Sequence, residues 1–203
     1  MKISPIKHFL SRDSRSGRAV LAALLLAALA MAVLAGSSAL AAGKLLANGS
    51  FEKDANGDGE PNNWDRDGSV GKLPRRDCNQ SYAGACSLKF VLDNQFKYVI
   101  SSNVVAGGPS GVSYTLFFQV KTKDFVPGAS PMQVQLYFHH TGGGDNHYSS
   151  NIPAGTTDWI PLNVTSLSGA PFDYLYVVIE SDQDSGKVWF DKMKVVSGCD
   201  PNC

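Results

Sequence analysis

Past its first 42 residues the 203-residue chain has no stretch of ten or more residues with a helical apolar period. That excludes helical bundles and α/β folds, because a surface helix needs apolar side chains at three- and four-residue intervals. It also lacks G-x-S-x-G and H-E-x-x-H, so no nucleophile elbow or helical zinc-protease motif is present. Histidine is scarce, at four residues, and cysteine too, at four. The cysteine spacings C-x7-C and C-x3-C fit no common zinc site. His139, His140 and His147 cannot supply three ligands either, since a strand places His139 and His140 on opposite faces. Seventeen acids downstream of the leader make some carboxylate pair inevitable, and none is singled out for glycoside hydrolysis. We therefore expect a protein that is not an enzyme.

The leader carries Lys2, Lys7, Arg12, Arg15 and Arg18, then an apolar run from Ala19 to Ala35, then Ser38-Ala39-Leu40-Ala41-Ala42. A basic start, a 17-residue apolar core and small residues at its end predict a cleaved secretory signal over 1–42. The remainder is then a single domain over 43–198, with a short tail over 199–203. Thirteen basic residues stand there against seventeen acidic ones, a balance of −4. That argues against nucleic acid as a partner. No second run is long enough to span a membrane. The expected location is secreted, or at the cell surface, and the expected state is monomeric. In an oxidising compartment Cys78, Cys86, Cys199 and Cys203 form two disulfides. Of the three connectivities, local pairing of Cys78 with Cys86 and Cys199 with Cys203 is the most economical.

What is present is alternation. Leu88, Phe90 and Leu92 share one face of a strand, and so do Tyr114, Leu116, Phe118 and Val120. The same holds for Val134, Leu136 and Phe138, and for Leu175, Val177 and Ile179. Turn-forming Gly, Pro, Asn and Asp separate these runs. The pattern predicts an all-β, antiparallel sandwich whose sheets each have one wet face.

The ends of the domain are distinctive. Asn48-Gly49-Ser50-Phe51-Glu52 opens it, Asp54-Ala55-Asn56-Gly57-Asp58-Gly59 follows, and Val188-Trp189-Phe190-Asp191 closes it. If Asp191 shares its face with Met193 and Val195, it points inward, and a buried carboxylate needs a cation or several donors such as backbone amides; a bulge would instead turn it to solvent. Glu52, Asp191 and carbonyls of the Asn48–Ser50 turn form a hard-oxygen set that suits structural Ca2+. Asp54, Asn56 and Asp58 match the start of a calcium loop as well, and equally an acidic turn.

The wet faces carry side chains that suit sugar hydroxyls and ring faces. They are Phe117 and Gln119; Gln135, Tyr137 and His139; Tyr174, Tyr176 and Glu180; and Tyr98 if its strand joins the same sheet. Such aromatics also pair across strands with no ligand.

The opening Leu45-Leu46-Ala47-Asn48-Gly49-Ser50-Phe51-Glu52, then Gly59-Glu60-Pro61-Asn62-Asn63-Trp64, resembles the start of carbohydrate-binding modules of the CenC type. Tyr82-Ala83-Gly84-Ala85-Cys86-Ser87-Leu88, Asp158-Trp159-Ile160-Pro161-Leu162 and Ser185-Gly186-Lys187-Val188-Trp189-Phe190-Asp191 are similar to later strands of that family. The resemblance implies a galactose-binding-like jelly roll that binds polysaccharide without cleaving it and holds a structural calcium at Glu52 and Asp191. The other expectation is a structural or adhesive surface domain of the same fold with no sugar site.

Overall fold

The computed structural model describes residues 45–68, 72–102, 104–140 and 142–198. The leader over 1–42 and the Cys199–Cys203 pairing lie outside the described residues. Ten strands run β1 (Trp64–Gly68), β2 (Arg75–Asp77), β3 (Ser87–Asp93), β4 (Lys97–Ser101), β5 (Ser113–Val126), β6 (Ser130–His139), β7 (Asn146–Asn151), β8 (Gly155–Leu167), β9 (Tyr174–Asp182) and β10 (Ser185–Ser197). They form two five-stranded antiparallel sheets, ordered β1-β4-β9-β6-β7 and β2-β3-β10-β5-β8. The chain crosses between sheets repeatedly, in the manner of a jelly roll, so neighbours in sequence face one another across the core.

The alternating residues meet there. Leu88, Phe90, Leu116, Val120, Val188 and Phe190 from one sheet pack against Val99, Val134, Leu136, Leu175, Val177 and Ile179 from the other, all buried. Phe190 is edge-on to Phe90 at 5.8 Å and tilted against Phe118 at 6.1 Å, so β3, β5 and β10 interlock. Removing such a ring would cost about 3–5 kcal/mol through lost transfer energy and the cavity left behind.

Three strands were not foreseen. β1 and β2 are short, and β7 starts at Asn146, where the glycine-rich segment suggested a loop. Residues 45–52 form a turn around Asn48–Ser50 rather than a strand. They still lie along β10: Leu45 N–H donates to the Val195 carbonyl (3.2 Å) and Met193 N–H to that of Gly49 (2.8 Å). Gly49 is required there, because a Cβ would collide with the Met193 carbonyl.

The second correction concerns Asp191. Its expected inward direction assumed an unbroken strand. β10 instead slips register between Asp191 and Lys194, and Lys192 has φ 51°. Phe190 lies opposite Val120 and Asp191 opposite Gln119, so Asp191 stands on the outer face of its sheet. It is nevertheless fully buried, roofed by the 82–86 loop. The Cys78–Cys86 disulfide ties this roof to the end of β2, as local pairing predicted.

A buried polar pair braces the same face. Asp77 accepts from the Trp189 indole N–H (2.9 Å) and pairs with Lys89 (2.9 Å). Burial pushes its carboxyl upward, but the indole, Lys89 and the Asn79 amide outweigh this and hold it at about 2. A depressed folded pKa means that the stabilisation is present above the ordinary carboxylate value and lost as pH falls through about 2. We expect ~2 kcal/mol of stability to disappear between roughly pH 4 and pH 2, and Asp77→Asn to flatten that limb. Denaturant melts over this range are the check; an unchanged acid limb in the variant would contradict the assignment.

Candidate functional site

The outer face of the β1-β4-β9-β6-β7 sheet gathers most of the expected ligand residues. Antiparallel register puts Tyr137 opposite both Tyr176 and His147, His139 opposite Tyr174, and Glu180 opposite both Tyr98 and Gln133. Side chains opposite one another share a face, so the aromatics form rows. Tyr137 stacks on Tyr176 at 4.7 Å and 19°, and on His147 at 6.1 Å and 13°. His139 stacks on Tyr174 at 4.4 Å and 12°. Along β9 the strip continues from these rings to Glu180 and Asp182. Beyond them, Phe96, Ser130, Gln133, Glu180 and Asp182 line a depression of about 450 Å³.

Polar contacts fix the strip. Gln135 is buried and donates to Glu180 Oε1 (2.6 Å) and, at 3.4 Å, to Gln133 Oε1. Asp145 accepts from the Tyr137 hydroxyl (2.7 Å) and from His139 Nδ1 (2.8 Å). The Tyr137 hydrogen bond, together with His139, holds the Asp145 carboxyl below its ordinary range. The same bond raises the Tyr137 hydroxyl, and burial raises that of Tyr176. The five strands contain only two strongly basic side chains. Arg66 is paired with Glu60 (3.2 Å), and Lys97 is buried and paired with Asp93. The strip is therefore aromatic and acidic, with amides at its centre.

Asp145 was missed. It sits after three glycines that read only as a flexible segment; the available signal was an acid placed one loop away from a Tyr and a His on one strand face. His147, from β7, also belongs to the strip, and Tyr174 joins it as its place on the wet face of β9 predicts. His140 lies on the opposite face, as alternation required. It is buried, donating from Nδ1 to the Pro171 carbonyl (2.9 Å).

Phe117 and Gln119 do not join this group. They project from β5, in the other sheet, because alternation fixes which face a residue takes but not which sheet its strand enters. They line a cleft of about 570 Å³ with the 46–53 turn, Pro161 and Lys192–Lys194, where the Lys194 ammonium lies 5.0 Å from the Phe117 ring. Trp64 is a core residue against Phe51 (5.2 Å).

The two ends of the domain do meet. Glu52 Oε1 accepts from the amides of Ala85 (3.0 Å) and Cys86 (3.4 Å), while Asp191 Oδ2 accepts from those of Tyr82 (2.8 Å) and Ala83 (3.0 Å). Both carboxylates thus grip one loop, and Gly84 is needed where Glu52 passes. Asp191 Oδ1 accepts from the Lys192 amide (2.6 Å). Burial still pushes its carboxyl up, against the pull of these amides. Neither acid has an ion-pair partner among the described residues. That charge balance fits a cation. Asn48 fits less well: its side chain bridges the Lys53 and Asn62 carbonyls and the Lys53 amide, and its carbonyl accepts from Phe51 N–H and the Trp64 indole. In the acidic turn Asp54 binds the Gly57 and Gly59 amides and Arg76 (3.3 Å), while Asp58 binds Asn56 and the Glu60 amide. Their oxygens are thus engaged within the turn. Among the described residues no group of three or more His, Cys, Asp or Glu is arranged to hold a metal.

No family model matches the sequence, and no curated protein sequence matches it. Solved structures do share the fold. The enzymatically active domain of tailspike protein 4 from bacteriophage CBA120 superposes with a TM-score of 0.56 at 12% identity, over 75% of this chain and 21% of that one. A family 16 carbohydrate-binding module gives 0.54 at 17% identity, over 75% and 99%. The family 61 module TmCBM61, solved with β-1,4-galactotriose, gives 0.51 at 16% identity, over 75% and 97%. Binding modules and an enzymatic domain are thus both among its structural neighbours.

Proposed function

We propose that this chain is an exported, non-catalytic carbohydrate-binding module of the CenC-like kind, which takes a neutral glycan chain along the outer face of the β1-β4-β9-β6-β7 sheet. The observation that carries this reading is the strip itself: stacked rings at Tyr174, Tyr176 and Tyr137 run on into the Gln135–Glu180 amide–carboxylate pair on a single rigid sheet. Aromatic faces suit the apolar side of a sugar ring, and fixed amides and carboxylates suit its hydroxyls. Nine residues of β9 span about 30 Å at 3.3–3.4 Å each, a length that suits a chain of sugars rather than one ring. The structural neighbours that bind carbohydrate support the same reading at the level of fold. The basic, apolar leader supports export.

In this reading Ca2+ has a structural role, with Glu52 and Asp191 as its carboxylate ligands and the 82–86 loop as the element it would secure. A purely adhesive role is the second reading, and one observation favours it: Tyr137 lies between Tyr176 and His147, so part of the stack is already spent on itself.

A panel of neutral oligosaccharides, measured by isothermal titration, separates the two. Binding by β-linked hexose oligomers that tightens with chain length is the expected result. No heat with any neutral oligomer would leave the adhesive reading.

A further inference from the structure

The opposite face of the sandwich has the opposite charge. On the outer surface of β2-β3-β10-β5, register places Arg75 opposite Lys89, Lys89 opposite Trp189, and Trp189 opposite Lys121. One step along, Lys187 lies opposite Lys123. Like charges directly opposite on a sheet destabilise it, and here the arrangement occurs twice. Two of the cations are compensated: Lys89 by Asp77 (2.9 Å), and Lys121 by Asp158 (3.3 Å), an acid 85% exposed and therefore weakly coupled. Arg75, Lys123 and Lys187 are exposed and have no ion-pair partner among the described residues. Lys123 and Lys187, with Lys89 and Lys121, line a depression of about 410 Å³, whose lining also includes Asn79, Gln80, Thr156 and the Lys89-paired Asp77.

We infer that this face is a second binding surface, and that its ligand is an acidic polysaccharide carrying carboxylate groups. A sheet that is otherwise well packed keeps unpaired like charges in register, and a polyanion laid across them converts that repulsion into attraction. Lysine suits such a ligand, being a mobile point charge that does not demand the fixed bidentate geometry of a single phosphate. The amide and hydroxyl groups in the depression suit sugar hydroxyls, whereas a lipid headgroup plane could not enter a concavity of this size. A module of this form would join a neutral glycan on one face to an acidic one on the other. Only the choice of a polysaccharide rests on the glycan reading of the aromatic strip; the charge argument stands apart from it.

The test uses the protein with the leader removed, polygalacturonate immobilised by its reducing end, a neutral oligosaccharide, and vesicles containing phosphatidylserine. We expect retention on polygalacturonate at low ionic strength, lost in 0.5 M salt as screening sets in. The Lys123→Gln/Lys187→Gln double variant should bind it about tenfold more weakly. It should also melt a few degrees higher than the parent without ligand, because the opposed charges are gone. Neutral oligosaccharide binding in the same variant should be unchanged; its absence in both proteins would count against the strip, not against this face. Equal retention of variant and parent on polygalacturonate would overturn the proposal. So would no retention at low salt, or tighter association with the vesicles than with the polymer.

Discussion

Asp191→Ala is expected to lower the melting temperature by about 10 °C, the largest effect of any single polar substitution in the domain. The carboxylate is fully buried and accepts three backbone amides, from Tyr82, Ala83 and Lys192. Hydrogen bonds to a charged acceptor contribute roughly 1.5–3 kcal/mol each, and deleting the acceptor leaves three donors to be rehydrated under a closed loop. A net loss of about 4 kcal/mol corresponds to a shift of that size in a domain this large. The 82–86 roof also packs on Trp159 through Tyr82 (6.1 Å) and is gripped from the other side by Glu52, so its release would propagate to the N-terminal turn. Asp191→Asn should fall between variant and parent, since one amide oxygen replaces two. The pH dependence has a definite sign. Burial raises the folded pKa of Asp191, so its contribution is fully present below the unfolded value and is lost as pH rises through the folded one. The amides of Tyr82, Ala83 and Lys192 offset the cost of burying the carboxyl only in part. The proposed calcium would offset the rest. Millimolar Ca2+ should raise the melting temperature of the parent and EDTA should reverse it, with no response in Asp191→Asn. A parent that melts identically in Ca2+ and EDTA would leave the loop held by amides alone and retire the cation.

How much of this was legible beforehand depended on whether a residue's fate was local. The core was legible. Leu88, Phe90, Leu116, Val134, Leu175 and Val177 alternate with polar neighbours, and period two fixes the face each takes. The Cys78–Cys86 bond was legible because both residues lie in one short segment. Partition of strands between sheets was not. Phe117 and Tyr137 have the same local pattern, yet β5 and β6 enter different sheets, so one polar face became two. Nor was the bulge at Lys192 readable, because a lysine at positive φ has no sequence signature of the kind glycine provides. It moved Asp191 to the outer face, while the expectation of a buried acid near Glu52 survived for a different reason: a loop covers it. Asp145 was hidden similarly, since its partners Tyr137 and His139 become neighbours only when β6 and β7 pair.

Tyr176→Ala should abolish measurable binding of neutral oligosaccharide, a loss of at least about tenfold in affinity, whereas Tyr137→Ala should cost much less. The stack sets this order. Tyr137 is covered by Tyr176 on one side and His147 on the other, so neither of its faces is open to a sugar. Tyr176 ends the row on the β4 side, and its ring is half-buried with one face against Tyr137. An open aromatic face against a sugar ring contributes on the scale of other aromatic contacts, about 0.5–1.5 kcal/mol beyond the area it buries. The apolar area itself adds further at about 25 cal/mol/Å². Tyr137→Phe refines the assignment, because it keeps the ring and deletes only the hydroxyl bond to Asp145. If Tyr137 acts by supporting Tyr176, Phe should bind like the parent. If its hydroxyl and Asp145 bind the sugar, Phe and Asp145→Asn should both lose affinity. Full binding by Tyr176→Ala, with the fold intact by circular dichroism, would move the glycan off this strip altogether. The cleft beside Phe117 and Gln119 on the opposite sheet would then be the remaining place for it.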